Sequence, residues 1–267
     1  MRKILFAILA LMGIVSCADK DQAKTLVLYY SQSGATETVA KEIAGQLGAD
    51  VAAYDVVTPY DGTYDETIQR CLAERSSGEI PSLKPLDVDI TGYDTVFLGY
   101  PVWFGTCAHP ALALLKEVNL EGKTVVTFCT FGSGGLQSST ADVRVAQPTA
   151  NVVEGYGVRN ARVAAAPKEV EDFLKRAGFL EGEVEVLVDF SEQVELTEET
   201  QAIFDAACSS YPMPLGTPVS VASRPRTVGT EYLFTTQSVA EDGAAATFQI
   251  YVIAEDGKSP EFTQVVR

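Results

Sequence analysis

Through the first two thirds of the chain, short apolar runs of strand length alternate with stretches whose apolar residues recur every three or four positions. Thr25–Ser31 (TLVLYYS) is the first such run, closed by a Gly-containing turn. From Thr36 to Gly48 the period is helical, with Val39, Ile43 and Leu47 on one face and Gly48 as a C-terminal stop. Asp50–Val57 predicts a second strand, and a helix follows near Asp65–Arg75, after the turn-rich stretch Pro59–Tyr64. Residues 76–93 are polar and Pro-containing, a long connection. Thr95–Tyr100 (TVFLGY) predicts a third strand, Pro110–Val118 a helix and Lys123–Thr130 (KTVVTFCT) a fourth strand. After the Gly-rich Gly132–Gly135, a helix is expected over Ser138–Ala146, a fifth strand over Asn151–Val158 and a helix over Pro167–Ala177, opened by its proline. Near-continuous apolar strands separated by helices specify a parallel sheet covered on both faces.

From about Gly182 the pattern changes. Val184, Val186 and Val188 alternate with charged or larger residues, as in a half-buried strand. Thr197–Tyr211 predicts an amphipathic helix, with Thr197 as N-cap, Glu198 and Glu199 in the first turn, and Ile203, Phe204 and Ala207 inward. Beyond Pro218, Glu231–Val239, Thr247–Ala254 and Glu261–Val266 predict strands, with Asp242-Gly243 and Asp256-Gly257 as turn signals. One helix on an antiparallel meander is the simplest packing. The expected units are an α/β unit over 25–180 and a small α+β unit over 183–267.

Neither unit includes the start of the chain. Arg2 and Lys3 precede an apolar run, Ile4–Val15, that is well short of the roughly 20 residues needed to span a bilayer. Residues 1–16 therefore read as a secretory leader. Ile14-Val15-Ser16-Cys17 resembles a bacterial lipobox, which implies cleavage, lipid attachment at Cys17, export, and residues 17–24 as a polar tether. An ordinary signal peptide with an incidental cysteine is the alternative.

Of the 267 residues, 46% are hydrophobic and 21% charged, an ordinary globular balance. Lys and Arg number 20 against 36 Asp and Glu, for a net charge of −16, and loss of Arg2 and Lys3 takes it to −18. Such a polyanion is repelled by nucleic acid and by anionic headgroups, so membrane contact is expected only through the N-terminal anchor. A single histidine, His109, disfavours a multi-His metal site or a His-dependent hydrolase, and no metal is expected. Cys71, Cys107, Cys129 and Cys208 form no CxxC. They read as separate buried thiols, with a Cys107–Cys129 bridge as the alternative.

In a doubly wound sheet, ligands bind beyond the carboxyl ends of the strands. The loops after strands one, three and four all have unusual composition. Ser31-Gln32-Ser33-Gly34-Ala35-Thr36 sets three hydroxyls around a glycine at the start of a helix, a site suited to phosphate without Lys or Arg. Simple N-capping by Ser33 or Thr36 is the competing explanation. Pro101-Val102-Trp103-Phe104-Gly105-Thr106 holds the only Trp, suited to stack on a flat heterocycle or to plug the sheet edge. Thr130-Phe131-Gly132-Ser133-Gly134-Gly135 lets backbone N–H groups approach a ligand, or serves as a hinge.

Through LVLYYSQSGATETVA, YDTVFLGYPVWFGT and GKTVVTFCTFGSGG, residues 25–180 resemble the flavodoxin family in its bacterial branch. The resemblance implies a flavodoxin-like, doubly wound, five-stranded parallel α/β sheet of order 2-1-3-4-5 and one bound FMN. It implies that Ser31, Ser33, Gly34, Ala35 and Thr36 hold the phosphate. The loop Pro101, Val102, Trp103, Phe104 and Gly105 would flank the isoalloxazine, and Thr130, Phe131, Gly132, Ser133 and Gly134 would line its other edge. Two positions depart: Ala35 stands where many members carry Asn or Thr, and the third loop offers Phe131 in place of an outer-face Tyr. The C-terminal unit resembles a cystatin-like domain through VGTEYLF, IYVIAEDG and EFTQVV. Pro225-Arg226-Thr227-Val228-Gly229 replaces the inhibitory hairpin, so a binding or dimerisation module is expected rather than a protease inhibitor.

The expected function is an exported, lipid-anchored, FMN-binding electron carrier serving redox partner proteins or small quinone-like acceptors. An FMN-dependent NAD(P)H:quinone-type oxidoreductase and a partner-binding protein that has lost FMN are the alternatives. The net negative charge is expected to disfavour the fully reduced, anionic flavin and to lower the last reduction potential. His109 is expected near the ring or as a local helix cap.

Overall fold

The computed structural model describes residues 24–239 and 244–266. The leader, Cys17 and the turn Asp242-Gly243 lie outside them. Alternation of strand and helix yields β1 (Thr25–Tyr29), β2 (Asp50–Ala53), β3 (Thr95–Trp103), β5 (Thr124–Phe131) and β6 (Asn151–Arg159), with the two-residue β4 (Thr106–Cys107) folded back on β3. The five long strands pair in parallel as β2-β1-β3-β5-β6. Setting the short β4 aside, this is the expected order 2-1-3-4-5.

Successive side chains on a strand face opposite ways, and each face gathers its own helices. Leu26, Leu28, Val96, Leu98 and Val125 pack toward α3 (His109–Glu117) and α4 (Leu136–Ala146), where α2 (Tyr64–Ser77) adds Cys71. Val27, Phe97, Val126 and Phe128 pack toward α1 (Ala35–Leu47) and α5 (Ala166–Arg176). Helix α1 buries Val39, Ala40, Ile43 and Ala44, the stripe its period sets, and stops at Gly48 in the left-handed conformation. Helix α2 is mostly polar and begins at a capping box between Thr63 and Glu66.

The C-terminal residues form α6 (Glu198–Cys208) and the antiparallel meander β7 (Thr217–Arg226), β8 (Gly229–Val239), β9 (Ala245–Ala254) and β10 (Glu261–Val266). Thr197 caps α6 as expected, and Phe204 and Ala207 pack on Val221, Phe234, Ile250, Val252 and Phe262.

Two expectations fail here. Val184–Val188 is not a strand: Val186 is 85% exposed, and Glu185 anchors the segment to Arg226 and Thr227 through its carboxylate. The alternation had no partner edge to pair with, because the outer edge of β7 is met further on, by Ser191 and Val194. Conversely β7 itself went unpredicted, since Pro218 and Pro225 interrupt it. An edge strand tolerates proline where a central one does not.

Candidate functional site

The three loops converge at the carboxyl edge of the parallel sheet. Thr36 at the start of α1 and Thr130 near the end of β5 share a buried hydrogen bond of 2.8 Å, which ties the first loop to the third. Their hydroxyls support the site from inside rather than line it. The N-cap of α1 is Gly34, and no side chain caps the helix. Capping by Ser33 or Thr36 therefore does not occur, and the first-turn N–H groups are left to solvent or a ligand. The Ser31 hydroxyl accepts the Gly34 N–H at 3.1 Å, Ser33 is exposed, and the Gly34 Cα faces open space.

The second loop is a hairpin. Trp103 pairs with Thr106 across a two-residue turn, with φ of 53° at Phe104 and 78° at Gly105. Positive φ at both central residues marks a type I′ turn, which Gly105 adopts freely and Phe104 does not. Phe104 is the one non-glycine residue with positive φ among the described residues. The hairpin is locked to α4: Ser138 donates to the Gly105 carbonyl at 2.7 Å, and the Asp142 carboxylate accepts the Thr106 hydroxyl and the Cys107 N–H.

Within this hairpin the two aromatic residues part. Trp103 is half-buried, its ring edge-on to Tyr60 at 4.9 Å and near Tyr30 and His109 at 6.2 and 6.4 Å. Phe104 is exposed, with the Arg75 guanidinium 5.3 Å from its ring centroid. Pro101 and Val102 lie half-buried at the base of the hairpin. In the third loop Phe131 is buried, because β5 extends through it and turns its ring into the core. It is therefore not placed to stack on a ligand from outside. Gly132, Ser133 and Gly134 remain accessible at the rim.

Beneath Trp103 lies a polar network the sequence did not reveal. Oε2 of Glu74 accepts the Tyr60 hydroxyl at 2.7 Å and lies 2.5 Å from Nδ1 of His109, while Oε1 accepts Nε of Arg70 at 2.8 Å. His109 thus bonds across to α2 rather than capping α3, whose N-cap is Ala108. Burial pushes the Glu74 carboxyl up, but the hydrogen bonds from His109, Tyr60 and Arg70 outweigh it and hold the group below the ordinary carboxylate range. The signals available were the lone histidine and the Arg70–Glu74 spacing of one helical turn; neither says that α2 and α3 meet here.

Cys71 adds a third ligand-type atom beside Glu74 and His109, all within 4.8 Å. Both oxygens of Glu74 are already engaged, Arg70 contributes a fixed positive charge, and burial pushes the Cys71 thiol up to about 11. The cluster is a hydrogen-bond network rather than a cation site. Cys71, Cys107, Cys129 and Cys208 are all free thiols, so the Cys107–Cys129 bridge is not formed. Burial raises the Cys107 and Cys129 thiols far above their ordinary value.

The family model for flavodoxin matches residues 24–175, more than half of the chain. Among solved structures, a protein assigned as a flavoprotein from Bacteroides uniformis ATCC 8492 is similar at 24% identity and a TM-score of 0.50, over 56% of this chain and 98% of that one. A flavoprotein from Lactobacillus acidophilus NCFM in complex with FMN is 26% identical at a TM-score of 0.46, over 57% of this chain and 99% of that one. No helix among the described residues is long and apolar enough to cross a membrane.

Proposed function

Since the chain belongs to the flavodoxin family, we propose that it is an FMN-binding electron-transfer flavoprotein, exported and anchored through Cys17. The N-terminus of α1 carries the reading. It is a 13-residue helix at the carboxyl edge of a parallel sheet, capped by no side chain, with Ser31 and Ser33 beside it. Its free N–H groups and dipole suit a phosphate, and no Lys or Arg is needed. Ser31, Ser33, Gly34 and Ala35 would hold the FMN phosphate, with Thr36 braced from within by Thr130. The Trp103–Phe104 hairpin and Gly132–Gly134 would border the ring.

FMN, when bound, supplies the redox chemistry. The chain orients it, packs the Tyr30–Tyr60–Trp103 cluster under the hairpin, and holds His109 Nδ1 against Glu74. Redox partner proteins or small quinone-like molecules exchange the electrons.

Expression of residues 18–267 and a visible spectrum test the reading. Bands at roughly 370 and 450 nm mark the redox-active ring, and a colourless protein that FMN does not reconstitute rejects it. Trp103→Ala is expected to raise the FMN dissociation constant about threefold to tenfold, the worth of one aromatic contact; unchanged affinity removes Trp103 from the site. No NAD(P)H oxidation with added quinone is expected of a carrier. For the anchor, Cys17→Ser should move the full-length protein from the membrane to the soluble fraction, and an unchanged distribution rejects lipid attachment.

A further inference from the structure

The edge of the antiparallel sheet is covered by the parallel one. Strand β10 is the outermost of its meander. An open strand edge invites unwanted pairing, yet here the Val265 N–H donates to the Ser133 carbonyl of the third loop at 2.8 Å. Gly134 lies so close that a Cβ there would stand 2.3 Å from the Val265 carbonyl oxygen. Arg159, at the end of β6, joins the two: Nε donates to the Gly132 carbonyl and Nη1 to the Phe262 carbonyl, each at 2.9 Å. Its guanidinium also sits 4.2 Å from the Phe262 ring centroid.

In a planar trans peptide the C=O and N–H point opposite ways. With the Gly132 carbonyl turned to Arg159 and the Ser133 carbonyl to Val265, the Ser133 N–H is turned away from the Arg159 guanidinium and the Gly134 N–H away from β10. Among the described residues, neither meets a protein acceptor. A Gly-Ser-Gly-Gly run left to itself would sample many orientations, at a large entropic cost to any ligand that orders it.

We propose that Arg159 and strand β10 are positioning elements for the flavin site: they clamp the 132–134 loop so that two N–H donors are presented to the acceptor-rich edge of FMN. The C-terminal unit is then a working wall of the site. It raises cofactor affinity and, through donors aimed at the ring, favours the reduced anion against the negative charge of the protein. This inference rests on the flavin reading above.

The test uses the protein from residue 18 onward. In the FMN-free wild type, the Val265 amide should exchange slowly with solvent, since Ser133 is its acceptor; fast exchange overturns the clamp without any reference to flavin. Val265→Pro deletes the N–H that faces the loop, on the side of the strand away from β9, and with it the valine side chain that packs on the C-terminal core. Arg159→Met removes both donors and keeps the stem. Each is expected to raise the FMN dissociation constant about threefold to tenfold, the factor one hydrogen bond supplies. Each should also move the second one-electron potential lower, a shift that a merely structural loss would not produce, alongside a modest fall in melting temperature from the lost contacts, with partial rescue by Arg159→Lys. If either variant folds, and binds FMN with wild-type affinity and potentials, β10 is mere packing and the inference falls. If the wild type itself takes up no FMN, the flavin reading falls first and this one with it.

Discussion

Glu74 holds three donors on two oxygens, and that is where the residue scale becomes measurable. Its folded-state pKa lies below the ordinary value of 4.5. Its contribution to stability is therefore fully present above about pH 4.5 and is lost as the pH falls through the lowered folded value. Glu74→Gln should cost about 1.5–3 kcal/mol near pH 7, the range for hydrogen bonds to a charged group, and the gap to wild type should close in acid. Urea unfolding from pH 7 to pH 3 checks this, and a gap independent of pH would show that the carboxylate charge is irrelevant. Phe104 is the opposite case, an exposed ring on a backbone conformation it disfavours. Asn suits the first central position of a type I′ turn, so Phe104→Asn should stabilise the FMN-free protein by up to about 1 kcal/mol, read as a higher melting temperature. No gain would mean that the Arg75 contact offsets the strain. Of these residues, Phe104 and His109 stood out in the sequence through their loop and their rarity. Glu74, Arg70 and Tyr60 did not, because an Arg–Glu pair one turn apart on a polar helix is ordinary until a second helix closes over it.

At the scale of elements, the site depends on strands that keep strict register. Gly99 of β3 sits opposite Phe128 of β5, and a Cβ on it would stand 2.1 Å from the ring. Gly99→Ala should cost about 1–3 kcal/mol through overpacking, lowering the urea midpoint; an unchanged midpoint would mean that Phe128 swings aside freely. The strands and helices of the parallel unit were legible because their signals are local: apolar runs, a 3–4 residue stripe, a glycine stop, a proline start. The hairpin at Trp103 was not, since β4 is two residues long and carries no period. The strap at Val184–Val188 and strand β7 depart from their local patterns in opposite directions for one reason. Alternation and proline describe a segment's preference, whereas a strand exists only where a neighbouring edge accepts it.

Across the whole molecule, the net charge of −16 is offset locally by a few arginines placed between units. Arg162 bonds Glu169 of α5 at 2.8 Å and Glu261 of β10 at 2.7 Å, and only 12% of its side chain is exposed. Arg162→Ala should destabilise the protein by about 1.5–3 kcal/mol. Because Arg162 and Glu169 are largely shielded from ions, most of the loss should persist at high salt, while the share from Glu261, 55% exposed, should be screened. A loss that vanishes at 1 M salt would mark a surface pair instead.

By itself the sequence determined the order of elements, the parallel sheet, the helix on a meander, and the three loops where chemistry was to be sought. Each of these is written in the spacing of neighbours. The tertiary structure decided what those loops present: Trp103 tucked against Tyr60, Phe131 turned inward, Thr36 spent on Thr130, Glu74 under His109, and β10 seated on Gly134. These depend on packing between segments tens of residues apart in the chain. Such contacts are selected by which faces and edges remain open once the sheets have formed, and no local pattern records that.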